Sequence, residues 1–311
     1  MTDYTYLYRD NTTLNDLASA KWDVFISAHN PTERVLRVFD AVSAKQKDWV
    51  SHAEYGLTKD RVPPGSFTSD ARREDDFMFE YFEERLRGVD LKTVSICVDV
   101  TGFMRPHMLY LVHYLSEKGA KKVDIVYAEP GHYKRLDDTQ FASDRVHTVR
   151  QVAGYEGITA NKTRDDLLII NAGFEDRLTA EVAEDKDKAR KVVLLGLPSL
   201  KADMYQQGVL RTRRARDALG EGARELFAPA ADPFATATVL SDLVGKERLS
   251  SGIDNLYLSP LSTKPSALGF ALFYIRECRG TAASIIFPFS ESYAADASEG
   301  IGRIWKYEME F

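Results

Sequence analysis

Val94-Ser-Ile-Cys-Val-Asp-Val100-Thr-Gly-Phe-Met-Arg105-Pro106 decides the fold. It opens on a continuous apolar run and ends on a basic residue set directly before a proline. Met104, Met108, Leu111 and Leu115 then recur at helical spacing. A second apolar run follows, Val123-Asp-Ile-Val-Tyr127. Runs that are continuous rather than alternating fit parallel strands covered on both faces. Strand, loop, helix and strand in that order predict a βαβ unit.

The same order returns near the end of the chain. Pro260-Leu-Ser-Thr-Lys264-Pro265 leads into the apolar helix pattern Ser266-Ala-Leu-Gly-Phe-Ala-Leu-Phe-Tyr274 and then into Ala283-Ser-Ile-Ile-Phe287. The two returning strands also end alike, Tyr127-Ala-Glu-Pro-Gly-His-Tyr133 against Phe287-Pro-Phe-Ser-Glu-Ser-Tyr293. Two looser copies complete the set. One is Ile26-Ser-Ala-His-Asn30-Pro31-Thr-Glu33-Arg34, returning through Trp49-Val-Ser-His-Ala-Glu54-Tyr55. The other is Ile170-Asn-Ala-Gly173-Phe-Glu-Asp-Arg177, returning through Leu194-Leu-Gly-Leu-Pro198-Ser. Asn30 and Glu33 have capping-box spacing, with Pro31 expected at the first helical position.

The expectation is therefore an α/β, Rossmann-like protein with mainly parallel sheet(s) of repeated strand-loop-helix-strand units. Two related halves, 1–150 and 151–311, are expected around one cleft. Residues 201–250 are expected to be a helical insertion, with Asp232-Pro233 starting a helix. Arg211, Arg213, Arg214 and Arg216 would lie on a solvated helix face there. Residues 55–75 read as a loop, and Phe79, Phe82 and Leu86 as one face of a helix. Strict alternation in Ile304-Trp-Lys-Tyr-Glu-Met-Glu-Phe311 predicts an antiparallel edge strand.

Composition narrows the function. The 311 residues are 44% hydrophobic, enough for a sizeable core. Two cysteines, Cys97 and Cys278, exclude a disulfide framework and a cysteine-rich zinc site. With 41 basic against 47 acidic residues, the net charge of −6 argues against nucleic acid as the main partner. No apolar run approaches the roughly 18 residues of a membrane span, and the start lacks a signal-peptide pattern, so a cytoplasmic location and no membrane contact are expected. There is no GxxxxGK[ST], GxGxxG, GxSxG or HExxH pattern, so no metal is expected and no cofactor is named.

What remains is a recurring anion motif. Arg34, Arg105, Arg177 and Lys264 all fall near helix starts, at the carboxyl edge where doubly wound folds bind ligands. With Thr101 and Thr263 they are the expected contacts to a phosphate-bearing ligand. Asp99, Glu54 and Glu129 are the expected catalytic or ribose-facing carboxylates. Glu291 and Glu175 stand at corresponding ends, and His29, His52, His107 and His132 lie near the same loops. The expected activity is recognition of a nucleotide-like anion by a sensor or effector subunit. A nucleotide-cleaving enzyme and a purely structural subunit are the alternatives, with a protein partner or self-association left open.

Three resemblances bear on this. Val98-Asp-Val-Thr-Gly102, followed by Leu115-Ser-Glu-Lys-Gly-Ala-Lys-Lys-Val123, resembles the strand-loop-helix of phosphoribosyltransferases, although the paired acids and second threonine of that loop are absent. Trp22-Asp-Val-Phe-Ile-Ser27 is similar to the first strand of a TIR domain, without a catalytic glutamate to carry over. The two-lobed layout is similar to Rossmann-type sensor domains of bacterial anti-phage systems.

Overall fold

The computed structural model describes residues 2–133, 148–202, 204–290, 292–295 and 298–311. The chain forms two compact units. The first comprises Leu7–Asp144 and Ser292–Phe311, the second Met1–Tyr6 and Arg145–Glu291. Each is built on its own sheet.

In the first unit, β1 (Arg9–Thr12) and α1 (Leu14–Ser19) precede β2 (Lys21–Ala28), α2 (Glu33–Ala41) and β3 (Ser43–Ser51). After them come β4 (Phe67–Thr68), α3 (Glu74–Arg85), β5 (Ile96–Asp99), α4 (Arg105–Glu117) and β6 (Lys122–Tyr133). The second unit holds β7 (Thr148–Gln151), β8 (Leu167–Asn171), α5 (Asp176–Asp185), β9 (Arg190–Gly196), α6 (Met204–Arg214) and α7 (Arg216–Leu219). It continues with β10 (Arg224–Ala228), α8 (Pro233–Ser250), β11 (Leu256–Pro260), α9 (Lys264–Phe273) and β12 (Ala283–Phe289). The last strand, β13 (Ser298–Glu310), belongs to the first sheet.

The strand orders are β1-β13-β6-β5-β2-β3-β4 and β10-β9-β8-β11-β12-β7. Starting from β2 in one sheet and β8 in the other, each runs outward through two parallel strands, then resumes on the opposite side with two more. An antiparallel strand follows in both, β13 against β6 and β7 against β12. The repeat read in the loops is thus a repeat of topology. Right-handed crossovers leaving β2 and β5 in opposite directions place α2 and α4 on opposite faces. Consistently, α1 packs with α2, and α3 with α4.

Parallel strands covered on both faces are buried along their length, and β8 is: all five residues from Leu167 to Asn171 are buried, the first four of them apolar. In the first sheet Leu17, Trp22, Phe25, Val38, Cys97 and Val126 form one cluster between α1, α2 and the strands. Asp232 does cap α8, its Oδ1 accepting from the N–H groups of Phe234 and Ala235 at 3.0 Å each. Among the described residues no helix is long and apolar enough to cross a membrane.

Several local expectations are corrected. Residues 201–250 are not wholly helical: β10 lies inside them and pairs parallel with β9. Its mostly exposed Arg-Glu-Leu-Phe-Ala sequence carries too little apolar pattern to announce an edge strand. Arg211 is not solvated: it is buried and donates to the Phe174 carbonyl at 2.6 Å, while Arg213, Arg214 and Arg216 are exposed. Phe79 is 57% exposed, because α3 buries Phe77, Met78, Tyr81 and Phe82 instead. Residues 55–75 include β4, the third parallel strand, only two residues long. The C-terminal strand is antiparallel, but β1 pairs along its other side, and both lie in the first unit rather than with residues 151–291.

Candidate functional site

The hydrogen-bond register aligns the two units residue by residue. The first amide past β2, His29 N, donates to Val50 O, and the first past β8, Ala172 N, donates to Leu194 O. Ala28 therefore corresponds to Asn171. Across to the next strand, Ser27 pairs with Asp99 and Ile170 with Ser259. From Ala28 and from Asn171 the chain runs equally far to Arg34 and Arg177, each the second residue of its helix, after an acidic first residue. Arg105 and Lys264 are each the first residue of theirs, with proline second. All four basic residues stand at helix N-termini, two to a unit.

Glycine makes a close crossing at both edges. A Cβ on Gly102 would lie 1.8 Å from the Ala28 carbonyl oxygen. One on Gly173 would lie 2.7 Å from that of Leu261. In dinucleotide folds such glycines admit a pyrophosphate. Here the neighbouring loop's own backbone fills the space beside each glycine.

In the first unit polar groups gather beside the crossing. The Tyr55 hydroxyl donates to Gly102 O at 2.8 Å. Burial pushes its phenol up to about 12, opposed by a hydrogen bond with Asn30 and by the positive charges of Arg34 and Arg105. Tyr127 is also raised by burial, opposed again by Arg34 and Arg105 and reinforced by Glu129. The two arginines, from different helices, thus act on the same two phenols. Arg34 Nη1 donates to Ala128 O at 2.7 Å, while its buried Nε has no hydrogen-bond partner among the described residues. Neither Thr32 nor Met104, the residues preceding α2 and α4, makes a side-chain cap hydrogen bond. The expected capping box is absent because the helix starts at Glu33; Asn30 Oδ1 instead accepts from Thr32 N and Oγ1.

The carboxylates occupy different settings. Asp99 is fully buried, with Oδ2 accepting from Ser27 Oγ and Oδ1 from Thr101 N, each at 2.9 Å. Thr101 Oγ1 in turn accepts from Ala128 N at 2.9 Å, tying the loop to β6. Glu129 is fully buried too, accepting from Trp305 Nε1 at 2.7 Å and Arg303 Nε at 3.1 Å. Asp99 and Glu129 therefore face protein rather than water. Glu54 is half-buried in a single 3-10 turn (Ala53–Tyr55) just past β3.

The corresponding residues of the second unit are placed differently. Arg177 is exposed. Thr263 is a cap, Oγ1 accepting from Ser266 N and donating to Ala230 O. Lys264 is half-buried and Glu175 buried as the residue preceding α5. Glu291 lies outside the described residues. His132 is exposed, beside an open groove of about 500 Å³ shared with Thr32, Glu33, Ser298 and Glu299. His29 is buried, and that burial, followed by the charge of Arg61, lowers its pKa. Among the described residues no three His, Cys, Asp or Glu side chains are grouped to hold a metal.

Sequence reasoning missed Tyr55, Tyr127, Arg303 and Trp305 as parts of this edge. The first two stood in the quoted strand ends, but a tyrosine there reads as ordinary strand. The other two come from β13, distant in sequence, with no local signal.

No family model matches the chain, and no curated protein matches it. Among solved structures, a similar chain is the adenylation, ketoreductase and pseudo Asub multidomain structure of a keto acid-selecting NRPS module. It is 12% identical with a TM-score of 0.21, over 76% of this chain and 26% of that one.

Proposed function

We propose that the first unit binds a small phosphorylated ligand of the nucleotide type at the carboxyl edge of its sheet, as a sensor site rather than a hydrolytic one. Two basic residues at one sheet edge carry this reading: Arg34 bonded to Ala128 O, next to Tyr127, and Arg105 starting the helix after Gly102, whose carbonyl accepts from Tyr55. The starts of α2 and α4 add their positive dipole ends to the two guanidinium groups. Glu54 follows the strand next to β2, where an acid meets ribose hydroxyls in doubly wound folds. Binding is favoured over turnover because Asp99 and Glu129 are fully buried and bonded to protein, out of reach of a water that a general base would activate.

Calorimetric titration with inorganic phosphate, ribose 5-phosphate and ADP tests it. Charge-assisted bonds of roughly 1.5–3 kcal/mol each mean that Arg105→Ala weakens binding of the best probe by about tenfold or more. Rising salt should weaken binding to the unaltered protein. If no probe binds and Arg105→Ala lowers the melting temperature by several degrees, the arginine is structural and the reading falls.

A further inference from the structure

Two buried histidines at the same edge have no part in that reading. His52 is 1% exposed and His107 is 3% exposed, and their ring centroids lie 4.5 Å apart. Phe77 flanks both rings, at 5.2 and 5.1 Å, and Phe103 and Tyr55 close the His52 side at 5.6 and 6.0 Å. His52 Nε2 accepts the main-chain N–H of Met104, the residue before α4. An imidazole nitrogen that accepts carries no proton.

We infer that His52 is an acid-operated latch on the proposed anion site, an inference that rests on that reading for its effect on ligand. The titratable and charged groups on the elements packed around the pair are Glu54 and Tyr55 on the turn, Glu74 at the start of α3, Asp99 at the end of β5, and Arg105 with His107 on α4. Nearby carboxylates would favour an imidazolium, while Arg105 and the positive end of α4 oppose it. The location of the proton decides between them. A proton arriving from solvent on Nε2 meets the Met104 N–H head-on, whatever carboxylate stands beyond. The ring and the start of α4 cannot both keep their places, and Arg105 is the next residue. Acid therefore moves the first turn of α4 and takes Arg105 from the ligand.

The experiment compares the unaltered protein with His52→Gln, whose Oε1 keeps an acceptor for Met104 N–H but takes up no proton. ADP affinity is measured from about pH 7.5 to about pH 5.5, the range in which an imidazole takes up its proton. The unaltered protein should lose at least threefold more affinity than His52→Gln. Its ligand-free melting temperature should likewise fall more steeply. Equal pH dependence of the two proteins in both measurements overturns the latch. Should His52→Gln not fold, imidazole nitrogen NMR of the unaltered protein decides. An unprotonated His52 Nε2 at pH 7.5 that gains its proton as the α4 amide signals shift supports the latch, and a protonated one at pH 7.5 overturns it. Melting and NMR need no ligand, so failure of every probe to bind would remove the anion-site reading while still testing the latch.

Discussion

The carboxyl edges of the two units share a backbone and differ in chemistry. Where the first has Ser27 bonded to Asp99, the second has Ile170 beside Ser259, whose buried hydroxyl has no partner among the described residues. Tyr127 and Glu129 stand in β6 at the places that Phe287 and Phe289 take in β12. What recurs is a close crossing of the two loops at a glycine, supplied after β5 in one unit (Gly102) and after β8 in the other (Gly173), and a basic residue in the first turn of α2, α4, α5 and α9. What do not recur are Tyr127 and the buried carboxylates, whose equivalents are Phe287, Ser259 and Phe289. A basic residue at a helix start therefore marks the topology in both units, but a candidate anion site in one.

The largest effect should come from the shared feature. Gly102→Ala would drive a methyl group into the Ala28 carbonyl, which is backbone and cannot rotate away. A loss of about 3 kcal/mol or more is expected by chemical denaturation. Gly173→Ala, with more room against Leu261, should cost about 1–2 kcal/mol. A larger loss in the second unit would mean that the two crossings are not equivalent.

Next comes the buried carboxylate. Asp99→Ala leaves the Ser27 hydroxyl and the Thr101 N–H without their acceptor in a site closed to water. Unmet bonds of this kind cost about 1–3 kcal/mol apiece, so a loss of about 3 kcal/mol is expected. If Asp99→Ala is as stable as the unaltered protein, Asp99 is not the anchor of the Thr101 loop and its role must be reconsidered.

This contrast also explains how far the sequence could be read. Every strand in a continuous apolar run was legible, because parallel strands must be apolar on both faces. The basic–proline pairs at Arg105 and Lys264 announced the repeat, because proline is tolerated only in the first turn. The short edge strands β4 and β10 were not legible, since two residues or a half-exposed five leave no period to detect. Nor was the burial of Asp99 and Glu129. A carboxylate at a strand end looks the same in sequence whether it meets solvent or a tryptophan N–H. Arg211 was misread for a related reason: its carbonyl partner, Phe174, is far away in sequence.

The arginine pair separates ligand binding from folding. Arg34→Ala should weaken ADP binding by about tenfold and lower stability by about 1 kcal/mol, the worth of its bond to Ala128 O. Arg177→Ala, at the equivalent but exposed position, should change stability by less than about 0.5 kcal/mol and leave ADP binding as it was. Equal effects on binding would return the second edge to the site.

The smallest expected effect discriminates most sharply between anchored and vestigial polar groups. Ser259 occupies the place of Asp99, is fully buried, and its Oγ has no hydrogen-bond partner among the described residues. Burying a hydroxyl without a partner costs about 1–3 kcal/mol, and alanine removes that cost together with a single small atom. The void left is too small to offset it, since cavity terms scale with volume at about 24 cal/mol per Å³. Ser259→Ala should therefore be neutral or more stable by up to about 1 kcal/mol, whereas Asp99→Ala is destabilised by about three times that amount. Parallel urea melts of the two variants give both values. A Ser259→Ala loss approaching that of Asp99→Ala would show that the hydroxyl is held after all, and that the second edge keeps a working polar anchor.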